Sequence, residues 1–339
     1  MSFPVEIKKL PKSEVEIAGE VLAADFDRAI TRSTKEWNEK VELPGFRSGN
    51  IPEKILIEKV GETAILERAA ELALSEAYPK ILDEHKIDAI GHPKVTITKL
   101  ARNNPLGFKA VTAVVPEVGL PDYKALAHGL AAKKEMVAVE EKEITDALEY
   151  LRSAHSVKKG ETEEKLALDD AFAQKIGQKT MDDLKKLLSE NIRRDKVEKA
   201  KDKQRMEIMD AIAARSAIAL PDILIEGEKE KMLSELKGSL AQMALPWDDY
   251  LKHIKKSEED LRKEWSDEAE KRVRFGLVLR AIADQEKIDP SETEITAEAD
   301  TMLERYPEAD RAKIDKARLA GYAYGMLRNE KVFELLENA

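Results

Sequence analysis

The sequence predicts an α+β domain at the N-terminus followed by a mostly α-helical C-terminal domain, and three observations predict it. Its 339 residues exceed the ~100–200 typical of one domain. Its composition, 37% charged and 42% hydrophobic with only 5% aromatic, is poor in the residues that build β-sandwiches and rich in helix formers. Its apolar spacing alternates in parts of the first third and then follows a helical period almost to the end.

From Ser13, the residues Val15, Ile17, Gly19 and Val21 alternate with polar ones, the period of a half-buried strand. Phe26, Ile30 and Trp37 then fall on one helical stripe over about 23–39. Leu43-Pro44-Gly45 ends that helix, because Pro disfavours helical geometry in the residue before it and Gly permits positive φ. A loop runs to Ile51, and Pro52 suits the first position of a helix, where its missing N–H costs nothing. Ile55, Leu56 and Val60, then Ile65 through Leu82, mark helix with a break at Gly61. Val95–Ile97 and the alternating Phe108, Ala110, Thr112 and Val114 mark strands around the turn-prone segment Asn103-Asn104-Pro105-Leu106-Gly107. Residues 1–115 therefore read β, β, α, α, β, β.

Pro116-Glu117-Val118-Gly119-Leu120-Pro121 breaks the pattern and opens a linker over 116–138. A helix over about 140–155 carries Ile144, Leu148 and Leu151 on one face. From Thr162 the chain reads as helix punctuated by Gly177, Pro221, Pro246, Pro290 and Pro307, so 139–339 is the helical domain. Ser257 and Thr296 are placed as N-caps, each ahead of an acidic first turn. No repeat of fixed period is evident.

Several function classes are excluded or disfavoured. With 57 Lys+Arg against 67 Asp+Glu the formal charge is -10, against a protein that coats nucleic acid indiscriminately. The absence of cysteine rules out disulfides, thiolate nucleophiles and Cys-ligated metal. The first residues lack the basic and apolar regions of a secretory signal, and no window approaches the ~20 apolar residues of a membrane span. A cytoplasmic protein without a membrane partner is expected. His85, His92, His128, His155 and His253 never fall at i, i+4, and no nucleophile elbow, P-loop or dinucleotide fingerprint is present. Adjacent carboxylates such as Asp169-Asp170 point apart on a helix, so no catalytic residue, metal or cofactor is expected.

The most specific string is Gly45-Phe46-Arg47-Ser48-Gly49-Asn50-Ile51-Pro52, set between two predicted helices. Two glycines and a bounding proline make a stiff tip, and a Phe beside an Arg offers an apolar anchor and a charge-assisted donor. The bland alternative is an ordinary interhelical corner with Phe46 tucked into the core. The string matches Gly-Phe-Arg-x-Gly-x-x-Pro and resembles the signature of trigger factor, the bacterial chaperone family of the ribosomal exit tunnel. The segment from Pro116 to Tyr123 and the helical half are similar to that family too. The resemblance implies an elongated molecule whose helical domain has arm-like protrusions. It also implies that Gly45, Phe46, Arg47, Ser48, Gly49, Asn50 and Pro52 contact the large ribosomal subunit, both an exit-tunnel protein and rRNA.

Two departures bear on that expectation. Family members tend to have further basic residues beside the signature Arg, whereas this chain has Ser48 and Asn50, with Lys54 and Lys59 nearby. Weaker and less salt-sensitive docking follows, since each phosphate-contacting cation lost lowers the salt slope. Family members also usually insert a prolyl isomerase domain, which is expected to be missing here near 156–162.

Seven of the nine methionines, Met181, Met206, Met209, Met232, Met243, Met302 and Met326, follow the linker. Met suits surfaces that accept many partners, although it also fills gaps between helices. Met232, Leu233, Leu236, Leu240, Met243, Trp247 and Met326 are the residues expected to meet nascent and unfolded polypeptides. The resulting reading is an ATP-independent holding chaperone, with a second copy of the chain as a further candidate partner off the ribosome. The alternatives are a ribosome-associated structural or regulatory factor that binds no clients and a residual prolyl isomerase. A periplasmic chaperone with a related helical body is disfavoured by the missing signal.

Overall fold

The computed structural model describes residues 3–131, 138–155, 157–159, 162–164 and 167–339. The chain forms two compact units that alternate along the sequence: Met1–Gly119 with Ala217–Leu277, and Leu120–Ser216 with Val278–Ala339.

The first unit opens with β1 (Val5–Leu10), β2 (Glu14–Val21), α1 (Ala23–Lys40), α2 (Glu53–Val60), α3 (Glu62–His85), β3 (Ala89–Lys99) and β4 (Leu106–Val114). The β, β, α, α, β, β order anticipated from the residues is the order found. The strands form one antiparallel sheet, β1-β2-β4-β3, in which Ile17 lies opposite Ala110 and Ile97 opposite Phe108. That register puts the buried Ile17, Phe108 and Ala110 on one face, against Phe26 and Ile30 of α1 and Ala69, Ala73 and Ile81 of α3. Gly19 interrupts the apolar alternation for a steric reason, because a Cβ there would lie 2.6 Å from Val5 Cγ1. The buried Ser33 hydroxyl donates to the Ile65 carbonyl at 2.8 Å, and Arg68 reaches across to Glu36 at 2.9 Å, so α1 and α3 are locked by polar as well as apolar contacts. Gly61, at φ +90, separates α2 from α3. Pro52 sits at the N-cap of α2, one residue before the position expected for it.

The chain continues through β5 (Val118–Gly119), α4 (Tyr123–Ala131) and α5 (Glu141–Ala154), so the segment expected as a linker carries a short strand and a helix. A hairpin, β6 (Val157–Lys159) with β7 (Thr162–Glu164), then leads to α6 (Asp170–Lys175), α7 (Met181–Arg215) and β8 (Ala217–Ile218). The expectation that the chain after Thr162 is helix broken only at glycine and proline is corrected by β7 and by β8, which pairs with β5. Parts of the expected linker (132–137) and of the expected isomerase junction (156, 160 and 161) lie outside the described residues. The remaining elements are α8 (Asp222–Gln242), α9 (Trp247–Ile254), α10 (Glu258–Glu264), α11 (Ser266–Gln285), α12 (Glu292–Glu304), α13 (Glu308–Arg311) and α14 (Lys316–Glu337).

Capping decides where several of these helices begin. Ser257 caps α10 through a reciprocal box with Asp260, as anticipated. Thr296 does not cap α12. Ser291, directly after Pro290, does so with Glu294, and the Thr296 hydroxyl instead donates back to the Glu292 carbonyl inside the helix. Lys331 and the Ser291 cap together hold the Glu294 carboxyl down at about 2.

In the second unit, Leu148 of α5, Phe172 and Ala173 of α6 and Leu184 of α7 form a core that Ile144, Leu151 and Leu188 extend. Tyr123 is buried and donates to Glu286 at 2.5 Å, and burial first, then the carboxylate, push its hydroxyl up to about 12. Farther along α7, the Arg205 guanidinium is only 15% exposed, pairs with Glu330 and Glu337 of α14 and lies 4.9 Å from the Phe333 ring. Its removal leaves Glu330 and Glu337 with the more distant Lys201, 3.9 and 3.7 Å away, as their shared cation. Arg205→Ala is expected to cost about 2 kcal/mol, the scale of charge-assisted bonds, read as a lower urea midpoint at unchanged m. Arg205→Lys recovers part of it, and an unmoved midpoint in Arg205→Ala would contradict this role.

Candidate functional site

The segment between α1 and α2 caps the helix it leaves. The last carbonyls of a helix have no partner within it. Here the amide of Val41 donates to the Trp37 carbonyl, that of Gly49 to the Asn38 carbonyl at 2.9 Å, and the Ser48 hydroxyl to the Glu39 carbonyl at 2.7 Å. The Asn38 side chain completes the closure: its Nδ2 donates to the Ile51 carbonyl at 2.6 Å while its Oδ1 accepts from the Ile51 amide at 2.9 Å. Ile51 and Leu56, 3% and 0% exposed, anchor the corner in the core.

Two tight turns lie end to end within this closure. The Phe46 amide donates to the Leu43 carbonyl, and the Asn50 amide to the Arg47 carbonyl. In each turn the third residue is a glycine with positive φ, Gly45 at +90 and Gly49 at +86, as a type II turn demands, and Pro44 takes the second position of the first. A Cβ on Gly45 would meet nothing within 4 Å, so backbone conformation rather than space requires the glycine. Phe46 closes one turn and Arg47 opens the next. Phe46 is 39% exposed, which sets aside the alternative of a corner with its Phe in the core. Arg47, Lys54 and Lys59 are exposed, and among the described residues none has a carboxylate partner. Ser48 is committed to the Glu39 carbonyl, so it serves the loop's own geometry. Asn50 and Pro52 are exposed on the return to α2.

The structure separates the residues expected to meet clients. Met232, Leu233 and Leu240 are buried, a correction to the single exposed stripe expected of them. They share α8 with Glu230 and Lys237, whose ion pairs to Arg262 and Glu258 of α10 draw that face inward. Leu236 and Trp247 are half-buried. Met243 is 66% exposed beside the exposed Leu245, at the turn between α8 and α9, with Trp247 and Tyr250 stacked just beyond. Met326 is exposed on α14, where Tyr322, one helical turn earlier, is 68% exposed on the same side. Met206 of α7 is also exposed, whereas Met209 and Met302 are core residues. Met206 is named in the sequence only among the methionines after the linker, and Leu245 and Tyr322 are not singled out there, although the i, i+4 spacing of Tyr322 and Met326 is a readable signal. Among the described residues no group of three or more His, Asp or Glu side chains is gathered as metal ligands would be. No helix among them is long and apolar enough to cross a membrane.

Comparison with known proteins agrees with this geometry along nearly the whole chain. The N-terminal model of the bacterial trigger factor protein matches residues 3–151, and the C-terminal model matches residues 180–336. The residues left between them, 152–179, are too short a stretch for an independent domain. The trigger factor of Carboxydothermus hydrogenoformans is 27% identical over 421 aligned positions, covering 97% of this chain and 98% of that protein. Since this chain has 339 residues, at least 82 of those positions have no counterpart in it. The trigger factor of Halalkalibacterium halodurans is 26% identical over 388 positions, covering 88% and 89%. A solved structure of the trigger factor chaperone, described for promiscuous substrate recognition in folding and assembly, superposes with a TM-score of 0.56 at 18% identity. It covers 98% of this chain and 99% of its own. The N-terminal and the C-terminal parts thus match one family over nearly the whole chain, and the chain belongs to the trigger factor family.

Proposed function

We propose that this protein is an ATP-independent chaperone that docks on the large ribosomal subunit beside the exit tunnel and holds emerging polypeptides. The observation that carries the reading is the tip itself: Phe46 and Arg47 stand out of a loop that inward hydrogen bonds tie to the end of α1. A rigid aromatic–guanidinium pair of this kind suits a protein groove with phosphates beside it. Arg47, Lys54 and Lys59 supply the positive charge, and Ser48 and Asn50 add none, so docking is weakened only modestly by salt.

Client holding falls to the exposed apolar residues, Met243 with Leu245 at the α8–α9 turn and Tyr322 with Met326 on α14. Half-buried Leu236 and Trp247 border the first of these groups. Flexible thioethers accept varied side chains, and release follows when burial within the client's own fold becomes preferable. Tethering near the tunnel raises the effective concentration, so weak affinity per contact suffices. No prolyl isomerisation is assigned to the chain.

Two measurements test the reading. Co-sedimentation of Phe46→Ala/Arg47→Ala with ribosomes is expected to show at least roughly tenfold weaker binding, and pelleting equal to the unaltered chain would remove the tip from the account. Suppression of aggregation of a chemically unfolded substrate should fall roughly two- to fivefold in Met243→Ser/Met326→Ser, on the scale of about 0.8 kcal/mol per methylene no longer buried. If the unaltered chain suppresses nothing, the rival reading of a docking factor without clients stands instead.

A further inference from the structure

The apolar face of the N-terminal sheet is not fully covered by its own helices. Val95 of β3 lies opposite the buried Ala110, on the same face as Ile97 and Phe108, yet it is 43% exposed. Between β3 and α3 runs a groove of about 560 Å³, floored by Ala70, Leu74, Val95, Ile97, Phe108 and Ala110. The small side chains of Ala70 and Ala110 leave this volume, which is in the range of ligand-binding clefts.

Three features say what kind of molecule fits. First, β3 is an edge strand, and no residue from Gly91 to Lys99 is buried, so half of its backbone donors and acceptors are open alongside the groove. The irregular register between Ile90 and Lys94, and Pro93 within it, confine that open edge to the part from Val95 onward. Second, the opposite wall is α3, where Pro79 has no N–H to give the Ser75 carbonyl. Both walls therefore present main-chain polar groups beside an apolar floor, the arrangement that accepts an extended chain. Third, the rim on α3 is acidic: among the described residues Glu67 has no ion-pair partner and Glu71 pairs with Arg68 alone. The rim complements a basic residue.

We infer that the α3–β3 groove is a second polypeptide site, taking an extended apolar segment that pairs with β3 from Val95 onward and carries a Lys or Arg toward Glu67. This deepens the holding function proposed above and rests on it for the nature of the ligand. It also gives the docking unit itself a hold on a chain.

The test uses the full chain and a fluorescein-labelled peptide about nine residues long, alternating Val or Leu with Thr and ending in Arg. Binding is read by anisotropy, alongside aggregation suppression. Val95→Glu, at an exposed position, should weaken peptide binding at least roughly tenfold, and Glu67→Arg should weaken it while tightening the peptide ending in Glu. Met243→Ser/Met326→Ser should lower aggregation suppression while leaving the loss caused by Val95→Glu in place. Unaltered affinity in both Val95→Glu and Glu67→Arg would overturn the assignment. So would self-association of the chain that Val95→Glu abolishes, which would give the groove to a second copy. Val95-dependent peptide binding without aggregation suppression would retain the groove and remove the holding function, and suppression with Val95-independent peptide binding would do the reverse.

Discussion

The double hydrogen bond between the Asn38 side chain and the backbone of Ile51 is the contact on which the exposed Phe46–Arg47 tip depends. It joins the last turn of α1 to the start of α2 and fixes both ends of the intervening loop. Within that frame Gly45 and Gly49 provide the two left-handed positions, and the loop's donors satisfy carbonyls that α1 would otherwise leave unpaired. Phe46 and Arg47 therefore remain exposed without loop disorder. Ordering them on binding costs less than it would from a flexible segment, which is how preorganisation favours affinity.

Both units show how a highly charged chain tolerates apolar exposure. The net charge of -10 favours solubility, and the exposed hydrophobic residues named above occur in small groups. Met243 and Leu245 sit at a helix turn, Tyr322 and Met326 on one helical face, and Val95 at a sheet edge. Spread in this way, they do not merge into one large apolar patch. Ion pairs such as Arg262 with Glu230 and Glu258 hold the helices in place around buried Met232, Leu233 and Leu240.

Much of this was legible in the sequence. The alternation at Val15, Ile17 and Val21, the stripe of Phe26 and Ile30 and the break at Gly61 each encode local geometry, and local geometry survives folding. The tip was legible because Pro44-Gly45 and Ser48-Gly49 are turn signals that need no tertiary context. What was not legible depended on partners distant in sequence. Met232 and Met243 look alike on one stretch of chain, and only packing makes one core and the other surface. Thr296 and Ser291 are both credible caps, and the proline before Ser291 with Glu294 three residues on decided between them. The α3–β3 groove was invisible for the same reason, since it exists only where a helix stops short of covering a strand.

The most direct measurement of the central claim is the ribosome affinity of the full chain carrying Asn38→Asp, with Phe46 and Arg47 untouched. The carboxylate still accepts from the Ile51 amide and no longer donates to the Ile51 carbonyl, so the tip loses its fixed geometry while keeping its chemistry. The account predicts binding at least roughly tenfold weaker. An affinity equal to that of the unaltered chain would contradict it.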